Sequence, residues 1–328
     1  MAPVWYNKHE TITKMIKMIE EAAANDAKLV AFGECLVPGY MYHVWTSLMW
    51  EAHGKYDVPL MKNSLSLDDP EMRRLMRAAR ENKIYVVFGF IELDGASRYM
   101  SEVVLSDEGK IILHRRKLKP TDAERCVCGD GTGADIKVVE TPIGIIETTE
   151  CWEHTQPLIT YAMTALHEQI HISAWPGNNF TTDSYLMEAN RNNVEFSRVY
   201  AMRSQSYVIM AMPITDQACI DYFCGDDPQK LAIMSPGGGH AQVISPDGNL
   251  LCEFLPEDQE GIVYADIDLN NILAVKGMLD PVGQYSRPDI FCLHINKNPN
   301  PHTVETNVAP SNDLVDNANR LFEEEEGL

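Results

Sequence analysis

The sequence predicts a single α/β domain of layered helices and strands, and three observations carry that expectation. Apolar residues recur at helical spacing in some stretches and in short β-branched runs in others, and the two kinds alternate along the chain. No linker, composition break or internal repeat divides them, apart from two similar hairpin turns at 106–109 and 246–248. A chain of 328 residues with 45% hydrophobic content can also bury a substantial core.

Taken in order, residues 8–25 place Ile12, Met15, Ile16, Ile19 and Ala23 on one helical face. Residues 28–32 read as a short buried strand, closed by Gly33-Glu34-Cys35 and a Pro38-Gly39 turn. A helix before the first strand is an unusual opening for an α/β layer. Asp68-Asp69-Pro70-Glu71 starts a helix that runs to about Asn82, with Met72, Leu75, Met76 and Ala79 as its core stripe. Residues 84–91 form a central strand, and 98–105 with 111–116 flank a hairpin turn. Strands at 136–139 and 143–149 pair about Thr141-Pro142, and a helix follows Cys151 to about Glu168. Further strands are expected at 170–175, 207–214, 241–244, 250–254 and 261–267, with helices over 183–204 and 269–278.

A net charge of −21 and a pI near 4.8 argue against nucleic acid or an anionic membrane as partner, since either needs a basic face. Part of the acidity is the run 323–326, expected as a solvated tail. No uninterrupted apolar window is long enough to span a membrane, and the first residues carry no secretory signal. Eight scattered cysteines without a C-x-x-C pair predict reduced thiols in a cytoplasmic setting.

Three polar groups follow apolar strands: Glu34, Lys117 and Cys151. Strand ends are where catalytic groups gather in layered α/β folds. A thiol can attack an electrophilic carbon, a carboxylate can take and return protons, and an ammonium can steady developing charge. Cys151 is expected at a sharp corner before a helix, whose positive end favours the thiolate. Each residue also has a plain reading: a buried apolar thiol, a turn-capping acid, one lysine of a basic edge run. An ionised Glu150 beside Cys151 would oppose thiolate formation unless it points away or meets a cation. His167-Glu168-Gln169-Ile170-His171 matches the H-E-x-x-H zinc pattern, with Glu188 as a distant third ligand. That pattern, however, straddles an expected helix end and strand.

Phe32-Gly33-Glu34, Pro38-Gly39-Tyr40, the run from Arg115 through Lys117 and Thr121 to Glu124-Arg125, and Cys151-Trp152-Glu153-His154 together resemble the nitrilases, the nitrile-hydrolysing branch of the carbon–nitrogen hydrolases. Trp175-Pro176, Pro246-Asp247-Gly248 and the 281–288 stretch extend the similarity to about residue 295. The resemblance implies a four-layer α-β-β-α sandwich over 1–295 with a C-terminal extension, 296–328, whose acidic end is flexible. It also implies subunits paired through helical faces and extended into spirals or filaments. Cys151 would be the nucleophile, Glu34 the general base, Lys117 the stabiliser of the tetrahedral intermediate, and Glu124 the acid that orients Lys117 and substrate. Tyr40, Trp152 and Trp175 would line the substrate pocket. The implied reaction converts small organic nitriles to carboxylic acid and ammonia through a thioimidate, with no metal or organic cofactor. Cyanide hydration, amide hydrolysis and a catalytically silent, filament-forming relative stay open beside it. The family's first strand, ending just before Ala2-Pro3, is absent here, and Gly33 and Met41 stand where the family has prolines.

Overall fold

The computed structural model describes residues 1–177, 180, 189–299 and 314–328. Helix α1 (Lys8–Ala24) is capped by Asn7, whose side chain accepts from the Glu10 amide, and buries Ile12, Met15 and Ile19. Strand β1 (Leu29–Ala31) follows. A run of short turns comes next: α2 (His43–Thr46), α3 (Met49–Ala52), a π-helical turn (His53–Asp57) and α4 (Val58–Asn63). None of these was anticipated, because each is too short to show a helical repeat. Helix α5 (Pro70–Asn82) starts where the acids and proline place it, and Asp69 caps it. Then β2 (Tyr85–Asp94), β3 (Ser97–Leu105) and β4 (Ile111–Arg116) form a meander. The first sheet has the order β1-β2-β3-β4, with only β1 and β2 parallel.

The second sheet runs β5 (Val139–Thr141), β6 (Gly144–Glu150), β7 (Ile170–Ala174), β8 (Tyr207–Ala211) and β9 (Gln242–Ile244), parallel at its centre and antiparallel at both edges. Its crossovers carry α6 (Pro157–Thr164) and α7 (Ala189–Ser204). The expected helical residues 183–188 lie outside the described set. After β8 come α8 (Gln217–Phe223), α9 (Pro228–Leu231), α10 (Asn270–Met278) and α11 (Leu314–Glu326).

Strand alternation builds the layers. Val86, Phe88 and Phe90 of β2 face outward onto Ile12, Met15, Leu75 and Met76, while Tyr85 and Val87 face Ile146, Ile170 and Ile172 of the second sheet. On that sheet's far side Tyr200 and Ala201 of α7 pack on Val208 and Ile244. The result is the expected α-β-β-α sandwich.

Several expectations shift. β5 lies at 139–141, not 136–139, and β8 stops before Pro213. After β6 the chain makes a 3₁₀ turn, Cys151–Thr155, and α6 ends at Thr164, well before Glu168. The acidic end is no solvated tail: α11 buries Ala318 and Phe322, and Glu323, Glu325 and Glu326 pair with Lys110, Arg73, Arg77 and Arg80. The stretches 250–254 and 261–267 are not strands. Leu250, Leu251 and Phe254 are exposed, and 261–267 borders a cavity of about 620 Å³ whose opposite wall is residues 28–33. A strand needs a neighbour to satisfy its peptide groups, and 261–267 has no ladder partner among the described residues. β1 is accordingly a sheet edge on that side. Met1 reaches the same cavity, and desolvation pushes its buried amine down to about 6. Among the described residues no helix is long and apolar enough to cross a membrane.

Candidate active site

Strand β6 is buried along nearly its whole length and ends at Glu150. Cys151 turns the chain with φ +53°, a left-handed conformation that costs a non-glycine residue about 1–3 kcal/mol. Buried polar contacts hold it there. Glu153 accepts from the Glu150 amide at 3.0 Å and from the Leu118 amide at 2.7 Å, and Arg115 grips both its oxygens at 2.8 and 2.9 Å. The Glu153 carboxylate thus ties the Cys151 corner to the stretch carrying Lys117.

His154 Nδ1 donates to the Cys151 carbonyl at 2.6 Å, so its Nε2 is left as an acceptor. His171 Nε2 lies 2.9 Å from that acceptor, and His171 Nδ1 faces Glu147 and Glu168. His171 therefore donates from both nitrogens and is an imidazolium. Burial alone would lower its pKa, but Glu147 and Glu168 outweigh burial and push it up to about 9. Desolvation and the His171 charge keep His154 neutral.

The structure brings the expected quartet together. Cys151 Sγ and carboxylate oxygens of Glu34 and Glu124 lie within 4.8 Å of one another. Lys117 Nζ sits 2.5 Å from Glu34 Oε1 and 2.9 Å from Glu124 Oε2. Glu34 is delivered by the turn after β1, where its amide donates to the Trp175 carbonyl at 3.3 Å. Glu124 lies in a 3₁₀ turn, Asp122–Cys126, and its side chain accepts from the Thr121 amide at 2.6 Å and from Tyr40 OH at 2.5 Å. All four residues are buried.

Burial dominates the electrostatics. It raises the Cys151 thiol well above its ordinary range, Glu34 adds to the rise and Lys117 opposes it. The short 3₁₀ turn does not produce the resting thiolate expected from a helix end; the resting group is a thiol that needs a base. Glu34 is also raised, by burial first, with Lys117 pulling it back and Glu124 pushing it up. Lys117 stays charged, because Glu124 and Glu34 overcome its desolvation. Glu150, an obstacle to the thiolate only if ionised and not turned away, lies toward Glu34 and Cys35; burial first, then Glu102 and Glu34, push its carboxyl well above the usual carboxylate range. The Glu34–Glu124–Cys151 cluster could ligate a metal ion, but the Lys117 ammonium already fills its cationic position.

Tyr40 touches the quartet through Glu124, and Trp45 Nε1 donates to its hydroxyl at 3.0 Å. Trp175 is fully buried beside Cys151, stacks on His154 at 4.9 Å, and donates to Ser173 and Ser197. Trp152 is 38% exposed and packs on Phe196. The zinc pattern dissolves. His167 is exposed with φ +61°, beyond the end of α6, while His171 is buried in β7, so they share no helix face. Glu188 lies outside the described residues. Sequence reasoning missed Glu102, Arg115, Glu153 and the His154–His171 pair. Charges set inside strands of otherwise buried residues were the available signal.

Back-to-back mixed sheets between helices, with a thiol, an ammonium and two carboxyls gathered in one buried cluster, are the layered α/β arrangement of a hydrolase family. The chain belongs to the carbon-nitrogen hydrolase family, whose model matches residues 1–276. It is 41% identical over 309 residues to an aliphatic nitrilase of Rhodococcus rhodochrous, covering 94% of this chain and 83% of that one. It is 39% identical over 301 residues to an arylacetonitrilase of Aspergillus niger, covering 90% and 86%. In fold it matches the crystal structure of a carbon-nitrogen hydrolase from Helicobacter pylori G27, with a TM-score of 0.68 and 19% identity over 88% of this chain and 93% of that one.

Proposed function

We propose that the chain hydrolyses small organic nitriles to carboxylic acid and ammonia, with Cys151 as nucleophile. The carrying observation is the convergence of Cys151 Sγ, Glu34 and Glu124 within 4.8 Å around the Lys117 ammonium. The substrate class is supported by relatives named for aliphatic and arylacetonitrile substrates.

Glu34 takes the thiol proton as sulfur bonds to the nitrile carbon, and hands that proton to nitrogen, giving a thioimidate. Glu34 then takes a proton from water as its oxygen adds to the carbon, and passes it to nitrogen. Lys117, held by Glu124, faces the charge that develops in these steps. The C–N bond breaks with release of ammonia, leaving a thioester that a second water cleaves to acid and free thiol. Tyr40 fixes Glu124, while Trp175 and Trp152 flank the cysteine. Residues 1–295 serve as one hydrolase domain with 296–328 as an extension. The eight free cysteines suit a reducing, cytoplasmic setting.

The test is ammonia release from cyanide, aliphatic, aryl and arylacetonitriles and the matching amides, with acid and amide measured separately. Cys151→Ala should abolish release while leaving the melting profile unchanged; turnover surviving in that variant rejects the mechanism.

A further inference from the structure

Strand β6 carries Glu150 into the interior directly before Cys151, where its side chain caps the Glu153 amide loosely and, among the described residues, meets no other side chain at hydrogen-bond distance. A Glu150 oxygen, a Glu34 oxygen and Cys35 Sγ lie within 4.8 Å of one another. Glu34 places Oε1 on Lys117, and its Oε2 has no partner. Two buried carboxyl groups therefore lie close together, each with an oxygen that no other side chain occupies.

The surrounding charges decide which form they take. Glu102 of β3 is a third buried carboxyl, facing from the other sheet, that competes for the same protons and is itself pushed up by burial. Arg115 of β4 is committed to Glu153, and Lys117 to Glu34 and Glu124, so neither cation is free to neutralise Glu150. Cys35 and Cys151, the remaining titratable neighbours, are buried thiols whose proton affinity burial raises. Two carboxylates this close cannot both stay ionised, and the group without a cation keeps the proton.

We propose that Glu150 is a proton reserve for Glu34, a positioning residue that steers the reaction toward acid and ammonia and away from amide. The inference rests on the nitrile-hydrolysing reading above. Once water has added, the carbon carries OH, NH₂ and the cysteine sulfur, and Glu34 is again a carboxylate. Breaking C–N needs one more proton on nitrogen, whereas breaking C–S expels thiolate and leaves an amide. The two carboxyls start within 4.8 Å but not hydrogen-bonded, so a side-chain rotation first closes the gap; the Glu150 O–H proton then passes to Glu34, and Glu34 protonates the nitrogen. Ammonia departs with the C–N electron pair. The hydroxyl forms C=O and gives its proton back to Glu34, which recharges Glu150. Protons and electrons balance, and no outside reagent is needed.

Glu150→Gln keeps the shape and removes the transferable proton. The amide-to-acid ratio should rise on the order of tenfold in that variant, less than the 10² or more that a directly positioned acid contributes, because Glu34 remains. In the wild type the amide fraction should climb as pH rises and Glu150 ionises; in the variant it should be high and flat. A purely structural role predicts uniform loss of rate with an unchanged ratio, and that result overturns the proposal. If the variant does not fold, a wild-type amide fraction that stays flat with pH overturns it equally. If no nitrile is turned over at all, the functional reading fails separately. The reserve is then read by infrared difference spectra, wild type minus Glu150→Gln at neutral pH: a neutral-carboxyl C=O stretch is expected, and its absence rejects the protonated Glu150.

Discussion

Cys151 sits in a backbone conformation its side chain disfavours, and the groups that hold it there are charged and buried. The Arg115–Glu153 fork and the His154 donor over-determine the corner, which is how a structure keeps a strained residue in place. Burial pushes the thiol well up, so the first step of the proposed mechanism depends on Glu34 being ionised. Burial raises the Glu34 carboxyl and Lys117 only partly offsets this. The acid limb of kcat/KM should therefore lie above the ordinary carboxylate value of about 4.3, with activity falling as pH drops through it. A pH–rate profile checks this, and an acid limb near 4 would count against Glu34 as the base. Glu34, Lys117 and Cys151 stood out because each follows an apolar strand, whereas Glu124, in a 3₁₀ turn, was implied only by the family resemblance. Glu150's protonation was not legible, because adjacency in sequence says nothing about which way a side chain faces or what cation it meets.

Among the elements, the β2–β4 meander, α1 and α5 were read correctly from periodicity and caps. The missed strand at 261–267 has a definite physical source. Residues 261–267 have a strand's composition but no ladder partner among the described residues, and they border the cavity beside β1. An apolar extension of about six residues fused before Met1 is expected to enter that cavity and pair with β1. Each buried large side chain would contribute about 1.5–3 kcal/mol against about 1–2 kcal/mol per residue of lost chain entropy. A melting temperature raised by several degrees is the expected outcome, read by thermal unfolding; an unchanged temperature would mean the cavity does not accept a strand.

At the scale of the whole molecule, Leu158 and Tyr161 of α6 and Val199 and Met202 of α7 leave an exposed apolar face on one helical layer. We propose that subunits pair there and that larger assemblies grow from the pair. Leu158→Glu should shift sedimentation toward monomer, and an unaltered distribution would exclude this face. Stability should fall with rising pH. Buried Glu34, Glu102, Glu150 and Glu168 have raised carboxyl pKa values, so the unfolded chain releases their protons first, and folding becomes costlier as pH climbs above the ordinary 4.5. His171 has the same sign: its contribution is complete below 6.5 and is lost as pH rises through about 9, a loss on the order of 3 kcal/mol. Glu92 and Glu147, both lowered, affect stability only in acid. The melting temperature should drop steadily between pH 6 and 9; a rise over that interval would contradict the buried network.

The sequence alone determined the alternation of helices and strands, the order of most elements and three polar groups after strands, because apolar periodicity and turn residues act locally; the four layers and Glu124 came with the family resemblance. Only the tertiary structure decided the charge state of those groups. Burial and the geometry of a few buried ions shift proton affinities by more than any local motif does, so Glu150 changes from an apparent obstacle beside the thiol to a neutral carboxyl facing Glu34. The same non-local logic left 261–267 without a strand: a peptide ladder needs a neighbour that no segment carries within itself.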